Sequence, residues 1–217
     1  MPREIAATRL HLVTDRSLCT ETSLEDAVAR AVEGGVEVVH LREKDLPPKE
    51  LYHLAARLRK VTLGRALLII NDRIDIALAI SADGVHLSGD SVPTYVAKKL
   101  GADRLIVGRS VHSVEEALEA EAAEADYIIL GTIYETASHP GLRPAGLGLV
   151  REVKAAVGLP VYAIGGIYAS NAAEVVAAGA DGIAVIRAIL EAKDPHSAAR
   201  ELSDAVKNDL SGCSYFD

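Results

Sequence analysis

Short apolar runs rich in Val, Ile and Leu alternate along this chain with longer segments of helical periodicity. A short continuous apolar run is typical of a strand that is buried on both faces, and strands that alternate with helices form parallel sheets. The pattern predicts eight strands, at residues 10–14, 36–42, 66–71, 84–87, 105–111, 127–131, 161–165 and 182–186.

Helical segments follow these strands. Ser23 and Ser113 are each followed three residues later by an acidic residue, an arrangement that marks a helix start. An open doubly wound sheet is the alternative, but no Gly-x-Gly-x-x-Gly follows the first strand. The pattern therefore predicts an α/β protein with a single (β/α)8 TIM barrel. Its helices are expected to begin near Ser23, Pro48, Arg73, Pro93, Ser113, Leu147, Ser170 and Arg187.

Length and composition fit one domain. The 217 residues are 49% hydrophobic and 25% charged, as in ordinary globular proteins, so we expect one domain over 1–217, with a core at about 9–207 and a flexible tail at 208–217. The net charge of -8, without a cluster of Lys and Arg, argues against nucleic-acid and membrane partners. Two widely spaced cysteines and the lack of a leader or spanning segment predict a cytoplasmic protein, which could form a homo-oligomer.

Basic residues mark the end of the second strand. In the segment VVHLREKDL, strand alternation predicts that His40, Arg42 and Lys44 share a face, while Leu41 and Glu43 lie on the other. Two neighbouring cations at a barrel mouth favour a bound phosphate or diphosphate. The alternative is a solvated strand end with Glu43 nearby.

Acidic residues follow the third and fourth strands. Asp72 and Asp90 leave neighbouring strands at the same end of the barrel, so both carboxylates could reach one Mg²⁺ that also contacts substrate phosphates. Asn71 ends the third strand beside them. The alternative for Asp72 is a helix N-cap, and His86 is expected to be a core histidine.

A glycine pair follows the seventh strand. Gly165 and Gly166 would let the backbone approach a ligand, and the N–H groups of Ile186 and Arg187 open a predicted helix after the eighth strand. Barrels commonly bind phosphate between these two loops, although a glycine pair can also serve only a tight turn. An irregular stretch at 132–146 and the fifth strand add candidate side chains, each an ordinary turn or capping residue when taken alone: Thr136, Ser138, His139 and Ser110.

Six segments between residues 10 and 190 resemble, in this order, the thiamine-phosphate synthase and TenI superfamily: HLREKD, INDRIDIALAISADGVHL, GRSVHS, ADYIILGTIYET, PVYAIGGI and GADGIAV. In the synthase branch a (diphosphooxymethyl)pyrimidine loses diphosphate to Mg²⁺ and basic residues, and the nitrogen of a thiazole phosphate attacks the resulting methylene cation. The resemblance implies a diphosphate site, a metal site and a thiazole-phosphate site, formed respectively by Arg42, Lys44, Asn71 and Ser110; by Asp72 and Asp90; and by Thr136, Ser138, Gly166, Ile186 and Arg187.

The chain departs from the synthase pattern at several positions. His40 stands where the synthase usually has Gln, His139 replaces a lysine of the long loop, and Arg187 replaces a small serine. Three features look like TenI, a thiazole tautomerase that aromatises carboxythiazole phosphate: His40, the segment GRSVHS and the Tyr134–Thr136 run. Thr132, however, stands where that branch has its acid–base histidine.

Because the metal aspartates are retained, we expect a thiamine-phosphate synthase that uses Mg²⁺. The alternatives are the tautomerase and a catalytically silent regulator that binds thiazole phosphate.

Overall fold

The structure, a computed structural model, describes residues 4–102, 104–137, 141 and 143–207. Eight parallel strands pair in chain order, and β8 pairs with β1 to close the predicted barrel. The strands are β1 Leu10–Val13, β2 Val38–Leu41, β3 Leu67–Asn71, β4 Gly84–Leu87, β5 Ile106–Val111, β6 Tyr127–Gly131, β7 Val161–Ile164 and β8 Gly182–Val185. The tail at 208–217 lies outside the described residues.

Two layers of apolar side chains build the core. Residues that face outward from the strands pack against the helices, while alternate residues fill the barrel, among them Val38, Ile69 and Ile129. The rings of Tyr127 and Tyr162 are completely buried in this interior. Gly108 leaves room for the Tyr127 ring, because a Cβ at this position would overlap it. The barrel is therefore a packed core that opens only at its ends.

Helices surround the strands. The Ser23 and Ser113 hydroxyls accept hydrogen bonds from the Asp26 and Glu116 amides, which confirms the two predicted caps. No described helix combines the length and apolar composition needed to span a membrane. The described helices are α1 Leu24–Glu33, α2 Pro48–Thr62, α3 Ile74–Ala79, α4 Thr94–Gly101, α5 Val114–Ala122, α6 Gly146–Ala156, α7 Ala172–Ala177, α8 Arg187–Leu190 and α9 Pro195–Lys207.

The segment after β8 differs from the prediction. One helix was expected from Arg187, but α8 is a single turn and α9 begins at Pro195. Asp194 accepts hydrogen bonds from the His196 amide at 3.0 Å and the Ser197 hydroxyl at 2.8 Å, which starts a new helix at this point. It is α9, packed against α1 and α7, that serves as the eighth outer helix.

An acidic residue precedes every even-numbered strand at the amino end of the barrel. Its carboxylate accepts a hydrogen bond from a backbone amide of the preceding odd-numbered strand, as Asp83 does from Leu68 at 2.7 Å. A cation from the neighbouring helix, such as Arg59, completes three of the four sites. The four carboxylates belong to Glu37, Asp83, Asp126 and Asp181.

Candidate active site

Two of the clefts at the carboxyl ends of the strands hold most of the predicted site residues, and Ser110 lines a third. The first, named here the acidic cleft, is lined by Lys44, Asn71, Asp72 and Asp90, together with Ser88 and Ser91. These residues come from the loops after β2, β3 and β4, so adjacent strands bring the four predicted side chains to one place, as parallel strands require.

Asp72 is held by a dense set of hydrogen bonds. Its carboxylate accepts from the Ser88 amide at 2.9 Å, from the hydroxyls of Ser88 and Ser91, and from the Asn71 side chain at 2.5 Å. Its backbone is left-handed, with φ of 59°, and its side chain does not cap α3, whose N-cap is Arg73. The N-cap alternative for Asp72 was therefore wrong.

Asp90 differs from Asp72 in its surroundings. Its side chain is exposed, and no described residue donates a hydrogen bond to it. A fixed carboxylate and a free one on the same cleft provide hard oxygen donors for a hydrated divalent cation, with Lys44 present to meet a phosphate. Carboxylate oxygens are the donors that Mg²⁺ prefers, but the described residues contain no group of three or more His, Cys, Asp or Glu side chains placed to hold a metal ion, so the Mg²⁺ site stays a prediction.

The basic segment after β2 does not follow strand alternation. Because β2 ends at Leu41, the expected shared face breaks up beyond His40. Lys44 lies in an exposed turn on the acidic cleft, whereas Glu43 is buried and pairs with Arg16 at 2.9 Å. Arg42 is half-buried, and its amide donates to the Thr14 hydroxyl at 3.0 Å.

A histidine lies beneath the mouth between the clefts. His86 is buried, and its ring nitrogens are hydrogen-bonded to the hydroxyls of Ser110 at 2.8 Å and Tyr127 at 3.2 Å. Burial, followed by the charges of neighbouring groups such as Arg109 and Arg42, lowers the pKa of His86 to about 3. His86 is therefore the neutral core histidine that was expected, and it orients the predicted substrate ligand Ser110.

His40 belongs to a polar column that fills the barrel interior. It is only 1% exposed and shares a hydrogen bond of 3.1 Å with His11, which in turn contacts Thr8 at 2.9 Å. The His11 ring stacks on Tyr162, with centroids 3.9 Å apart. Burial lowers the pKa of both histidines well below the usual value. The predicted contact between His40 and substrate stays a prediction, since the ring lies below the mouth.

The second cleft lies across the mouth, at the loops after β5 to β8. We name it the arginine cleft, since Arg187 is its one permanently charged side chain among the described lining residues, none of which is a carboxylate. Such a cleft favours an anion. Five predicted ligands line it, namely Thr136, Gly165, Gly166, Ile186 and Arg187.

The glycine pair has a structural use besides the expected approach of the backbone to a ligand, which stays a prediction. Gly165 and Gly166 have positive φ angles of 106° and 64°, and a Cβ on them would collide with Thr132 and Tyr134. The missing side chains therefore admit the β6 loop, which is pinned to β7 by the bond from the Tyr134 amide to the Gly165 carbonyl at 3.0 Å. The glycines shape the cleft wall by letting two loops pack closely together.

Helix α8 begins where it was expected but is short. The loop position predicted a helix N-terminus at Ile186 and Arg187, and α8 begins at Arg187 with Ile186 as its N-cap, but it contains only four residues. So short a helix has almost no macrodipole. Any anion held here depends on individual N–H groups and on the Arg187 side chain.

One residue of this cleft was missed in the sequence. His112 lines it, and its Nδ1–H donates to the Gly131 carbonyl at 2.6 Å, which leaves Nε2 without a bond to a described residue. The signal was available, because His112 follows Ser110 by two residues in GRSVHS. The predicted residues Ser138 and His139 lie outside the described part of the chain.

Comparisons with known proteins show the family to which this chain belongs. A family model described as thiamine monophosphate synthase matches residues 10–189. The chain belongs to this family. It is 44% identical over 200 residues to thiamine-phosphate synthase of Clostridium acetobutylicum, covering 92% of this chain and 95% of the relative. It is 46% identical over 203 residues to thiamine-phosphate synthase of Natronomonas pharaonis, and this match covers 91% of this chain and 94% of the relative.

A solved structure extends the family's similarity to three dimensions. Thiamine phosphate pyrophosphorylase from Pyrococcus furiosus matches with a TM-score of 0.86 at 42% identity, and the match covers 94% of this chain and 98% of that one. The family match confirms the resemblance drawn from six sequence segments, and the neighbour confirms the (β/α)8 fold.

Proposed function

We propose that this protein is a thiamine-phosphate synthase, a transferase of thiamine biosynthesis. It joins a (diphosphooxymethyl)pyrimidine to thiazole phosphate and releases diphosphate. The observation that carries the proposal is the pair of unlike clefts at one barrel mouth. The described lining of the acidic cleft includes the cations Lys44 and Arg73 and three carboxylates, those of Asp72, Asp90 and Glu43, the last paired with Arg16. The arginine cleft offers a cation and no described carboxylate.

The acidic cleft suits the diphosphate. Asp72 and Asp90 would hold Mg²⁺, which when bound offsets the negative charge of the departing diphosphate. Lys44 and Arg42 add positive charge on the same side of the mouth, and Asn71 and Ser110 offer hydrogen-bond donors. The bond between the pyrimidine methylene and the diphosphate oxygen breaks, and the electron pair leaves with the oxygen.

The arginine cleft suits the phosphate of the second substrate. Thr136, the backbone near Gly166 and Arg187 would hold that group, so that the thiazole nitrogen faces the methylene carbon. The nitrogen lone pair then forms the new C–N bond. Neutral His86 places no positive charge beneath the methylene as it becomes cationic.

Residue Thr132 bears on the tautomerase alternative. It lines the arginine cleft with a hydroxyl at the position where the tautomerase branch has its acid–base histidine, so the one imidazole among the described lining residues is that of His112, at a different position. The carboxylates of the acidic cleft would hold Mg²⁺ for a diphosphate leaving group, and the tautomerase reaction releases no diphosphate. Both features favour the synthase.

One assay tests the proposal. Purified protein is mixed with both substrates and Mg²⁺, and thiamine phosphate and diphosphate are quantified together. We expect equal amounts of the two products, and none in excess chelator or without thiazole phosphate. If no thiamine phosphate forms while carboxythiazole phosphate is aromatised, the protein is a tautomerase. Binding of thiazole phosphate without any turnover would point to a regulator.

A further inference from the structure

The guanidinium of Arg187 is only partly satisfied. One terminal nitrogen is paired with the Glu191 carboxylate one helical turn later, and no described residue accepts a hydrogen bond from its buried Nε. The Glu191 side chain is 45% exposed. Arg187 thus pairs with a carboxylate that does not line the arginine cleft, while Arg187 itself lines this cleft, which contains no described carboxylate.

An exposed pair of this kind is easily exchanged. Ion pairs between residues four apart on a helix surface are weak, because water solvates the carboxylate well and the side chains lose entropy on pairing. A phosphate monoester carries more charge than a carboxylate and accepts two parallel bonds from a guanidinium. In the cleft it would meet the unsatisfied Nε as well.

We propose that Glu191 competes with the phosphate of the second substrate for the Arg187 guanidinium, and that this competition tunes the affinity of the arginine cleft for that phosphate. The identity of the phosphate as thiazole phosphate rests on the proposed function. The anion site itself does not, because it follows from the charge and the hydrogen bonding of the cleft. Glu191 then sets the affinity by occupying Arg187 in the free protein.

Calorimetric titration with thiazole phosphate, and separately with inorganic phosphate, tests the exchange. Arg187→Gln should weaken the binding of thiazole phosphate by about 10- to 100-fold, the range expected for the loss of a charge-assisted hydrogen bond. Glu191→Gln should strengthen the binding by about two- to five-fold, since it removes a weak competitor. In the Arg187→Gln background, Glu191→Gln should have no further effect. Lys193→Gln is the control, because it removes an exposed cation nearby that does not line the cleft.

Steady-state kinetics separates ligand binding from a structural effect. Arg187→Gln should raise KM for thiazole phosphate and leave KM for pyrimidine diphosphate and kcat unchanged. Equal losses for both substrates, or a Glu191→Gln effect that persists without Arg187, would overturn the proposal. If Arg187→Gln does not fold, the Glu191→Gln result decides. If phosphate binds to the variants with the expected pattern but the protein forms no thiamine phosphate, the proposed function is wrong while the anion site is confirmed.

Discussion

At the residue scale, the carboxylates of Asp72 and Asp90 in the acidic cleft differ in their hydrogen bonding. Asp72 accepts hydrogen bonds from three side chains and one backbone amide, and it lies in the left-handed region, which Asp and Asn tolerate better than other residues with a side chain. Asp90 is exposed and has no described hydrogen-bond partner. Sequence position alone made the two look equivalent.

This difference can be tested by substitution. Both Asp90→Asn and Asp72→Ala should lower the coupling rate at limiting Mg²⁺ by at least about 10-fold, because each removes a candidate metal carboxylate. Only Asp72→Ala should also lower the free energy of unfolding, by about 1–3 kcal/mol, since it leaves the Ser88 amide without its acceptor. Urea denaturation of both variants measures this. Equal stability of the two would show that the Asp72 hydrogen bonds contribute nothing to the fold.

The sequence could predict which residues gather at the mouth but not their partners. Asn71, Asp72 and Asp90 were found because parallel strands share one carboxyl edge. The sequence did not predict the orientation of Lys44, because strand alternation stops at Leu41 and the next residues form a turn. The position of His112 at the mouth could be predicted from GRSVHS, but its bond to the Gly131 carbonyl of a neighbouring strand has no local signal.

At the element scale, the four acidic residues before the even-numbered strands tie strands and helices together. In each case a side chain at the start of one strand bonds the backbone of the previous one, and three of the four also pair with a helix cation. An acidic residue directly before each of these strands is visible in the sequence, in the dipeptides EV, DG, DY and DG. Its hydrogen bond cannot be predicted from these dipeptides, because the bond depends on how the strands pair. The break between α8 and α9 was likewise signalled by Asp194 and Pro195.

A matched pair of variants tests this role. Asp83→Ala should lower the free energy of unfolding by about 1.5–3 kcal/mol, because the Leu68 amide and Arg59 lose a charged acceptor that is only 23% exposed. Glu33→Ala is the control. It breaks the exposed pair with Arg65 and should change stability by less than about 0.5 kcal/mol. Similar losses for the two variants would mean that the Asp83 contact is no more than a surface ion pair.

At the scale of the whole molecule, the barrel interior holds three histidines in a column with two tyrosines. His11 and His40 share a hydrogen bond, and His40 meets His86 edge to face at 5.5 Å. Each ring lies on a different strand, so only the closed barrel brings them together. The sequence showed three separate histidines and marked only two of them. A core of this kind links folding to pH, because its members fold only in the neutral form.

The last prediction follows from that linkage. The pKa of His86 falls to about 3 in the folded protein, and those of His11 and His40 fall well below the usual value, whereas in the unfolded chain all three titrate near about 6.5. Above that pH both states are neutral and stability is complete. Below it only the unfolded chain binds protons, so stability falls as pH falls.

As the pH falls from 7.5 to 5.5, each histidine should lower the free energy of unfolding by about 1.4 kcal/mol, or by about 4 kcal/mol for the three together. Urea denaturation at the two pH values measures this loss. His40→Gln should reduce the pH-dependent loss by about one third, whereas the exposed His53→Gln should leave the barrel interior and this loss unchanged. A stability that stays constant across the interval would mean that the buried column accepts protons in the folded state.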